Sequence, residues 1–277
     1  MPEEREQIGI IAGGGRFPVM VADAARARGC RTVAVAHEGE TASELGEHVD
    51  ELVWVRLGQL GRLIRAFRDR GVQRVMMAGT IAKHRMFSRV RPDLKGLALM
   101  SRMAVFHDDG ILRSVSREME KEGIQVIPST HFLPELIAPA GVLTRRRPTK
   151  TEASDIRFGW RMAKELGRLD IGQCVVVRRR TVVALEAMEG TDETIRRGGG
   201  IAREKAVVVK VSKPDQDLRF DVPSVGLETV RVMNEAGATV LALEAAKTLL
   251  FEKPDMVRFA DEKGISIVAM ESEEDRF

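Results

Sequence analysis

The chemistry this sequence offers most directly lies in four carboxylates and the cations beside them. Asp192 and Glu193 follow Glu189-Gly190-Thr191 at the start of an expected helix. Asp217 and Asp221 lie in the run Lys213-Pro214-Asp215-Gln216-Asp217-Leu218-Arg219-Phe220-Asp221-Val222-Pro223. Hard cations such as Mg²⁺ take carboxylate oxygens, usually from one or two protein groups plus substrate phosphates. With Lys213 and Arg219 nearby, the set suits metal-assisted attack on a phosphate ester or anhydride. From spacing alone, a solvated, charged loop is an equal reading. Thr191 is read as the N-cap of the helix, a role open also to Asp192. Asp221 stands in a segment that proline biases away from helix.

A second group of candidates sits in the first half of the chain. Gly13-Gly14-Gly15 follows the apolar run Ile8 to Ala12 and precedes a helical pattern, so backbone N–H groups could approach a phosphate at a helix start. The dinucleotide fingerprint G-x-G-x-x-G is half met, because Pro18 occupies the third glycine's place. A tight strand-to-helix turn without a ligand accounts for the same glycines. The stretch Gly79-Thr80-Ile81-Ala82-Lys83-His84-Arg85, a second loop at the same edge, brings Lys83 and Arg85 after a strand end, to bind an anion or to be solvated.

Other chemistries lack their residues. There is no G-x-x-x-x-G-K-[ST] loop and no G-x-S-x-G elbow, which sets aside P-loop phosphoryl transfer and α/β-hydrolase chemistry. The histidines, His37, His48, His84, His107 and His131, share no two-His zinc spacing. In His107-Asp108-Asp109 the carboxylates are read as capping the next helix.

The elements that must position these residues are those of an α/β protein. Strands are expected at Ile8 to Ala12, Thr32 to Ala36, Glu51 to Val55, Arg74 to Ala78 and Gln125 to Pro128. Helices are expected at Pro18 to Arg28, Leu57 to Arg70 and Asp109 to Glu122. In the second of these helices Leu60, Leu63, Ile64 and Phe67 form one apolar stripe. Short apolar strands separated by helices indicate a parallel sheet covered on both faces. Prolines, Gly141 and the run Arg145-Arg146-Arg147 between Pro134 and Pro148 read as a linker. This places a Rossmann-like N-terminal domain at residues 1–138 and a mixed α/β domain carrying the carboxylates at 139–277. The second domain is expected to open with a helix from Thr151 to Leu166, started near Thr151 or Ser154. A hairpin of Gln173 to Val177 with Thr181 to Leu185 follows, without the Asn-Gly signature of the tightest turns. Strands at Ala206 to Val211, Thr239 to Glu244 and Ser266 to Met270, with helices at Thr229 to Glu235 and Asp255 to Lys263, complete it.

Composition bounds the rest. A chain of 277 residues exceeds the size at which one core stops growing, and 44% hydrophobic residues supply material for two. Lys+Arg 44 against Asp+Glu 41 leaves a net charge of +3, without the basic stripe of a nucleic-acid binder. Tyr is absent and aromatics total 4%, too few for base-stacking platforms. Cys30 and Cys174 are far apart, which suits a reducing, cytoplasmic home. The start Met-Pro-Glu-Glu-Arg-Glu-Gln lacks a signal peptide's basic and apolar regions, and no apolar run approaches a membrane span. Any membrane contact is expected to be peripheral.

Four motifs in order carry a resemblance. Ile8-Gly9-Ile10-Ile11-Ala12-Gly13-Gly14-Gly15-Arg16-Phe17-Pro18, Leu169-Asp170-Ile171-Gly172-Gln173, Glu189-Gly190-Thr191-Asp192 and Lys213 to Pro223 together resemble the LpxI family of UDP-2,3-diacylglucosamine pyrophosphatases of Gram-negative lipid A synthesis. The resemblance runs from Ile8 to Ala269, with Phe17 standing where leucine is common. It implies hydrolysis of UDP-2,3-diacylglucosamine to UMP and 2,3-diacylglucosamine 1-phosphate, lipid X, with Mg²⁺ and with water attacking the β-phosphate. It implies a Rossmann-like domain and a distinct α/β domain holding substrate between them. Asp221 is similar in position to the family's essential Asp, coordinating metal or organising the attacking water. Catalysis is accordingly expected at Asp221 and Asp192. Metal binding is expected at Asp221, Asp192, Glu193 and Asp217, and substrate contacts at Gly13, Gly14, Gly15, Gly79, Lys83, Thr191, Lys213, Gln216 and Arg219. Further candidate partners are the inner-membrane surface, in transient contact, and a second copy of the chain. No nucleic-acid partner is expected.

Two other readings stand beside it. The glycine turn prompts a nicotinamide-dependent oxidoreductase acting on a nucleotide sugar. A non-enzymatic carrier of glycolipid or nucleotide sugar would use the carboxylates only as surface charge.

Overall fold

The computed structural model describes residues 5–81, 90–102 and 108–275. The chain forms two compact units. Unit 1 comprises Met1–Pro134 together with Asp217–Asp221, and unit 2 comprises Glu135–Gln216 and Val222–Phe277.

Unit 1 is built on a parallel sheet. In chain order its elements are β1 (Gln7–Ala12), α1 (Phe17–Ala27), β2 (Arg31–His37), the short α2 (Leu45–His48), β3 (Glu51–Val55), α3 (Leu60–Arg68), β4 (Arg74–Ala78), α4 (Leu94–Arg102), α5 (Asp108–Lys121) and β5 (Gln125–Val126). The strand order is β3-β2-β1-β4-β5, with every pairing parallel. Buried residues such as Ile8, Val33, Val75 and Phe67 fill the core, as continuous apolar strands covered on both faces require. The order reverses between β1 and β4, and such a switch point opens a ligand crevice at the strands' carboxyl ends. Helix α4 starts at an N-cap, Asp93, whose carboxylate accepts from Gly96 N–H at 2.9 Å, and β5 holds two of the four residues expected.

Unit 2 centres on a mixed sheet. Its elements are a 3₁₀ turn at Pro134–Leu136 that begins one residue earlier, β6 (Gly141–Val142), α6 (Lys150–Arg168), β7 (Cys174–Arg178), β8 (Thr181–Leu185), α7 (Thr191–Ala202), β9 (Ala206–Lys210), β10 (Ser224–Val225), α8 (Leu227–Glu235), β11 (Ala238–Glu244), β12 (Leu249–Leu250), α9 (Lys253–Glu262) and β13 (Ser266–Met270). The main sheet runs β6-β13-β11-β9-β7-β8, while β10 and β12 form a separate parallel pair. Strands β9, β11 and β13 are parallel, and the β7–β8 hairpin and β6 join them antiparallel.

The structure differs from the sequence reading at the linker and at the start of α6, and it shows how the expected hairpin turns. The segment read as a linker is structured: Gly141 and Val142 pair with β13, and Arg146 donates to both oxygens of Glu152 at 2.6 and 2.8 Å. Helix α6 starts earlier than Thr151, because Thr149 and Glu152 form a reciprocal capping box. The hairpin turns without Asn-Gly because Arg179 and Arg180 adopt φ of +49° and +56°, while the Asp155 carboxylate accepts both of their N–H groups at 2.9 and 2.6 Å.

Candidate active site

In unit 1 the glycine turn is committed to the sheet before any ligand arrives. Gly13 N–H donates to Ala78 O at 2.8 Å, and Gly14 N–H donates to Thr80 O at 2.7 Å. A Cβ on Gly13 would lie 2.6 Å from Thr80 O, and one on Gly79 would lie 2.5 Å from Gly14 O. These glycines allow two strand ends to approach closely. Gly15, with φ +83° and open space around it, is the member of the triplet that faces away from that contact. Lys83 and His84 lie outside the described residues, as does His107.

The segment Asp217–Asp221 folds as a single turn within unit 1. Phe220 N–H and Asp221 N–H both donate to Asp217 O, at 3.2 and 3.0 Å. Phe220 packs against the unit 1 core, and Arg219 C=O accepts from Ser129 N–H at 2.9 Å. The Arg219 guanidinium grips Asp217 through Nε and Nη2, at 3.0 and 2.8 Å, and donates Nη1 to Glu120 at 2.9 Å. That grip holds the Asp217 carboxyl below the usual carboxylate range and raises Arg219 in turn. The apolar Phe220 and the polar Arg219 thus fix the backbone from both sides and determine where Asp221 stands.

Beside Phe220 lies a cavity of about 240 Å³. Its walls are apolar and include Ile11, Leu63, Met77, Leu99, Val115 and Phe220. An apolar cavity of roughly 150 Å³ accepts a benzene ring, so this one has room for about ten carbon atoms. His37, at the carboxyl end of β2, also lines it. Burial pushes the His37 imidazole below its ordinary value, against smaller upward pulls from Ala12 O and Glu40. Sequence patterning does not single out His37 or α4. The signal available for His37 was its place at the ligand-binding edge of a parallel sheet.

In unit 2 the N-cap of α7 is Gly190 rather than Thr191, because Gly190 takes φ +85° and Thr191 is already helical. The Thr191 hydroxyl instead donates to Glu186 Oε1 at 2.8 Å, while Gln173 N–H donates to Glu186 Oε2 at 3.2 Å. Asp192 and Glu193 occupy the first turn, where the helix dipole favours negative charge. Asp192 Oδ1 and Gln173 Oε1 are buried without a hydrogen-bond partner. Burial raises the Cys174 thiol well above its usual value, and the charges of Glu186 and Asp192 push the same way. Glu193 pairs with Arg196 at 2.5 Å on the exposed side. Lys213 Nζ donates to Asp170 at 2.5 Å, and Gln216 Oε1 accepts from Lys213 N–H at 2.9 Å.

The carboxylates therefore divide. Asp217 and Asp221 belong to unit 1, and Asp192 and Glu193 to unit 2. Among the described residues no three His, Cys, Asp or Glu side chains gather as a metal site. Cys30 and Cys174 are buried free thiols. No described helix is long and apolar enough to cross a membrane.

Comparisons with known proteins bear on the whole length. The chain is 32% identical over 279 aligned positions to the UDP-2,3-diacylglucosamine pyrophosphatase LpxI of Caulobacter vibrioides, covering 97% of this chain and 99% of that protein. Two solved structures, the urea carboxylase of Kluyveromyces lactis and the biotin carboxylase subunit of a pyruvate carboxylase, are each 15% identical, with TM-scores of 0.30 and 0.27. They cover 50% and 72% of this chain, which spans only 12% and 42% of theirs, and at that level the likeness carries no weight. The LpxI N-terminal domain profile matches residues 7–136 and the LpxI C-terminal domain profile matches residues 139–268. With both halves matched in order, the chain belongs to the LpxI family.

Proposed function

We propose that this protein hydrolyses the pyrophosphate bond of UDP-2,3-diacylglucosamine, releasing UMP and 2,3-diacylglucosamine 1-phosphate. The observation that carries the reading is the end-to-end match to the Caulobacter vibrioides pyrophosphatase. The geometry supports it through the fixed turn that ends in Asp221 and the apolar cavity beside Phe220, which suits an acyl chain of a diacylated sugar. Entry of such an amphiphile is expected to involve passing contact with the inner-membrane surface, from the cytoplasmic side.

Magnesium is the proposed cofactor, and Asp192 is where the protein's own donors suit it. A buried carboxylate oxygen without a donor is the kind of group a hard cation satisfies, and Mg²⁺ needs only one or two such ligands alongside phosphates and water. Asp192 is assigned to that role. Asp217 spends its oxygens on Arg219, so we assign it to positioning the turn. Bound Mg²⁺ would polarise the phosphoryl oxygens. Asp221 is assigned to organising the water that attacks the β-phosphate, or to a metal ligand position. Charge builds as the anhydride breaks, and cations held in place stabilise that state more than the ground state.

The test is turnover of UDP-2,3-diacylglucosamine with and without Mg²⁺ in ¹⁸O-labelled water. Label in 2,3-diacylglucosamine 1-phosphate supports attack on the β-phosphate, and label in UMP refutes it. Absence of UMP release removes the proposed activity, and saturable NAD(P)H binding would favour an oxidoreductase.

A further inference from the structure

We propose that His37 is a specificity-determining residue whose Nε2 accepts a hydrogen bond from an N–H or O–H donor on the acyl chain that enters the unit 1 cavity. This rests on the proposed function above and adds to it the polar feature that the cavity reads.

The argument begins with the ring's fixed tautomer. His37 is 8% exposed, and its Nδ1 lies 3.0 Å from Ala12 O. A backbone carbonyl can only accept, so Nδ1 carries the proton and the neutral ring presents Nε2 as a lone-pair acceptor. Burial favours that neutral form. The backbone behind the ring is pinned, because Thr41 Oγ1 accepts from His37 N–H at 3.0 Å and donates to Ala12 O at 2.7 Å. The ring itself is held on that backbone by its Nδ1 bond to Ala12 O.

The polar neighbours at the cavity do not supply a donor to it. Arg56 and Gln59 line the cavity too, but neither makes a hydrogen bond to the His37 ring; Arg56 Nε donates to Glu38 at 2.9 Å, and Gln59 Oε1 accepts from Arg56 N–H at 3.0 Å. Among the described residues the Nδ1 contact is the His37 ring's only hydrogen bond. An acceptor held at the wall of an otherwise apolar cavity selects for a ligand that brings a donor, because a plain alkyl chain would strip its water and return nothing.

A 2,3-diacylated glucosamine offers two sources of that donor. The chain at the 2-position is joined through an amide N–H, which the ester-linked chain lacks. A hydroxyl carried on the chain itself would serve equally.

The experiment compares wild type and His37→Phe on three substrates: one with a plain amide-linked chain, one with that amide N-methylated, and one with a hydroxyl added near the root of the same chain. KM and kcat are measured separately. In wild type, about a tenfold loss of kcat/KM on N-methylation identifies the amide, and about a tenfold gain on hydroxylation identifies the hydroxyl. In His37→Phe the preference falls to within about twofold. A wild type without either preference, or a variant that keeps it, overturns the proposal. Wild-type UMP release from the plain substrate tests the underlying function independently. Should His37→Phe fail to fold, ¹⁵N-imidazole NMR of wild type with 2,3-diacylglucosamine 1-phosphate decides. A ligand-induced shift at His37 Nε2 with Nδ1 still protonated supports the assignment, and an unmoved or protonated Nε2 refutes it.

Discussion

Three consecutive glycines near the end of α7 give a mutational series whose signs differ although the chemistry is the same. A Cβ on Gly198 would lie 2.7 Å from Val176 Cβ and 2.8 Å from both Val176 methyls. Val176 is fully buried and β-branched, so it has little rotamer freedom with which to yield. A Cβ on Gly199 would lie 2.2 Å from the Ala236 carbonyl oxygen, which is backbone and cannot move without displacing the end of α8. Around Gly200 there is nothing within 4 Å. Ala for Gly in a helix gains up to about 1 kcal/mol from propensity, and overpacking a core costs about 1–3 kcal/mol. Gly200→Ala is therefore expected to stabilise by about 0.5–1 kcal/mol. Gly198→Ala is expected to cost a net ~1 kcal/mol, and Gly199→Ala about 2 kcal/mol or more. With roughly 4 °C of Tm per kcal/mol for a unit of this size, scanning calorimetry should order the unit 2 transition as Gly200→Ala, wild type, Gly198→Ala, Gly199→Ala. A Gly199→Ala transition at or above wild type would refute the packing of α7 and with it the placement of Asp192 at the helix's first turn.

Other expectations follow from the same kind of contact. Asp155→Ala should destabilise by about 1–3 kcal/mol because it leaves the Arg179 and Arg180 N–H groups without their acceptor. In contrast, Arg180→Gly should raise the denaturation midpoint by relieving a positive φ. Glu244 is buried, and although desolvation opposes it, donors from Lys164, Lys247 and Ser212 hold its carboxyl below the usual range. Its contribution is thus present above the unfolded value near pH 4.5 and lost as pH falls through the lower folded value. The urea midpoint gap between wild type and Glu244→Gln should accordingly shrink on acidification, and a gap that widens would contradict that sign. Phe220→Ala should cost about 2 kcal/mol, half of a fully buried Phe truncation, and should lower UMP release at least tenfold. An undiminished rate would show that Asp221 does not depend on this anchor.

The parallel sheet of unit 1 was legible because its strands are continuous apolar runs bounded by glycine or polar residues. The pairs β6, β10 and β12 were not, because two residues carry no periodicity and form only where tertiary partners exist. Helix α4 was missed although Asp93 marks its start, because Gly96 weakens its pattern, and Gly96 is there to let the helix pack on Gly58, whose oxygen a Cβ would meet at 2.0 Å. The Gly13–Gly15 turn looked like a phosphate cradle in sequence. The partners of Gly13 and Gly14, Ala78 O and Thr80 O, come from the end of β4 and just past it, more than sixty residues away, and nothing local announces them. The motif around Asp221 stood out by residue type, but Phe220 as its anchor and Arg219 as the clamp on Asp217 become visible only in three dimensions. The missing donor at Asp192 Oδ1 is likewise a property of burial, which sequence does not record.

The most direct measurement is UMP release from UDP-2,3-diacylglucosamine in Mg²⁺ by wild type and by Asp221→Asn, with the thermal midpoint of each protein recorded alongside. The account predicts that wild type releases UMP, and that the variant loses at least about a hundredfold in rate, the scale seen when a positioned catalytic group is removed, while melting within a degree or two of wild type. A folded Asp221→Asn that turns over substrate at the wild-type rate would contradict it.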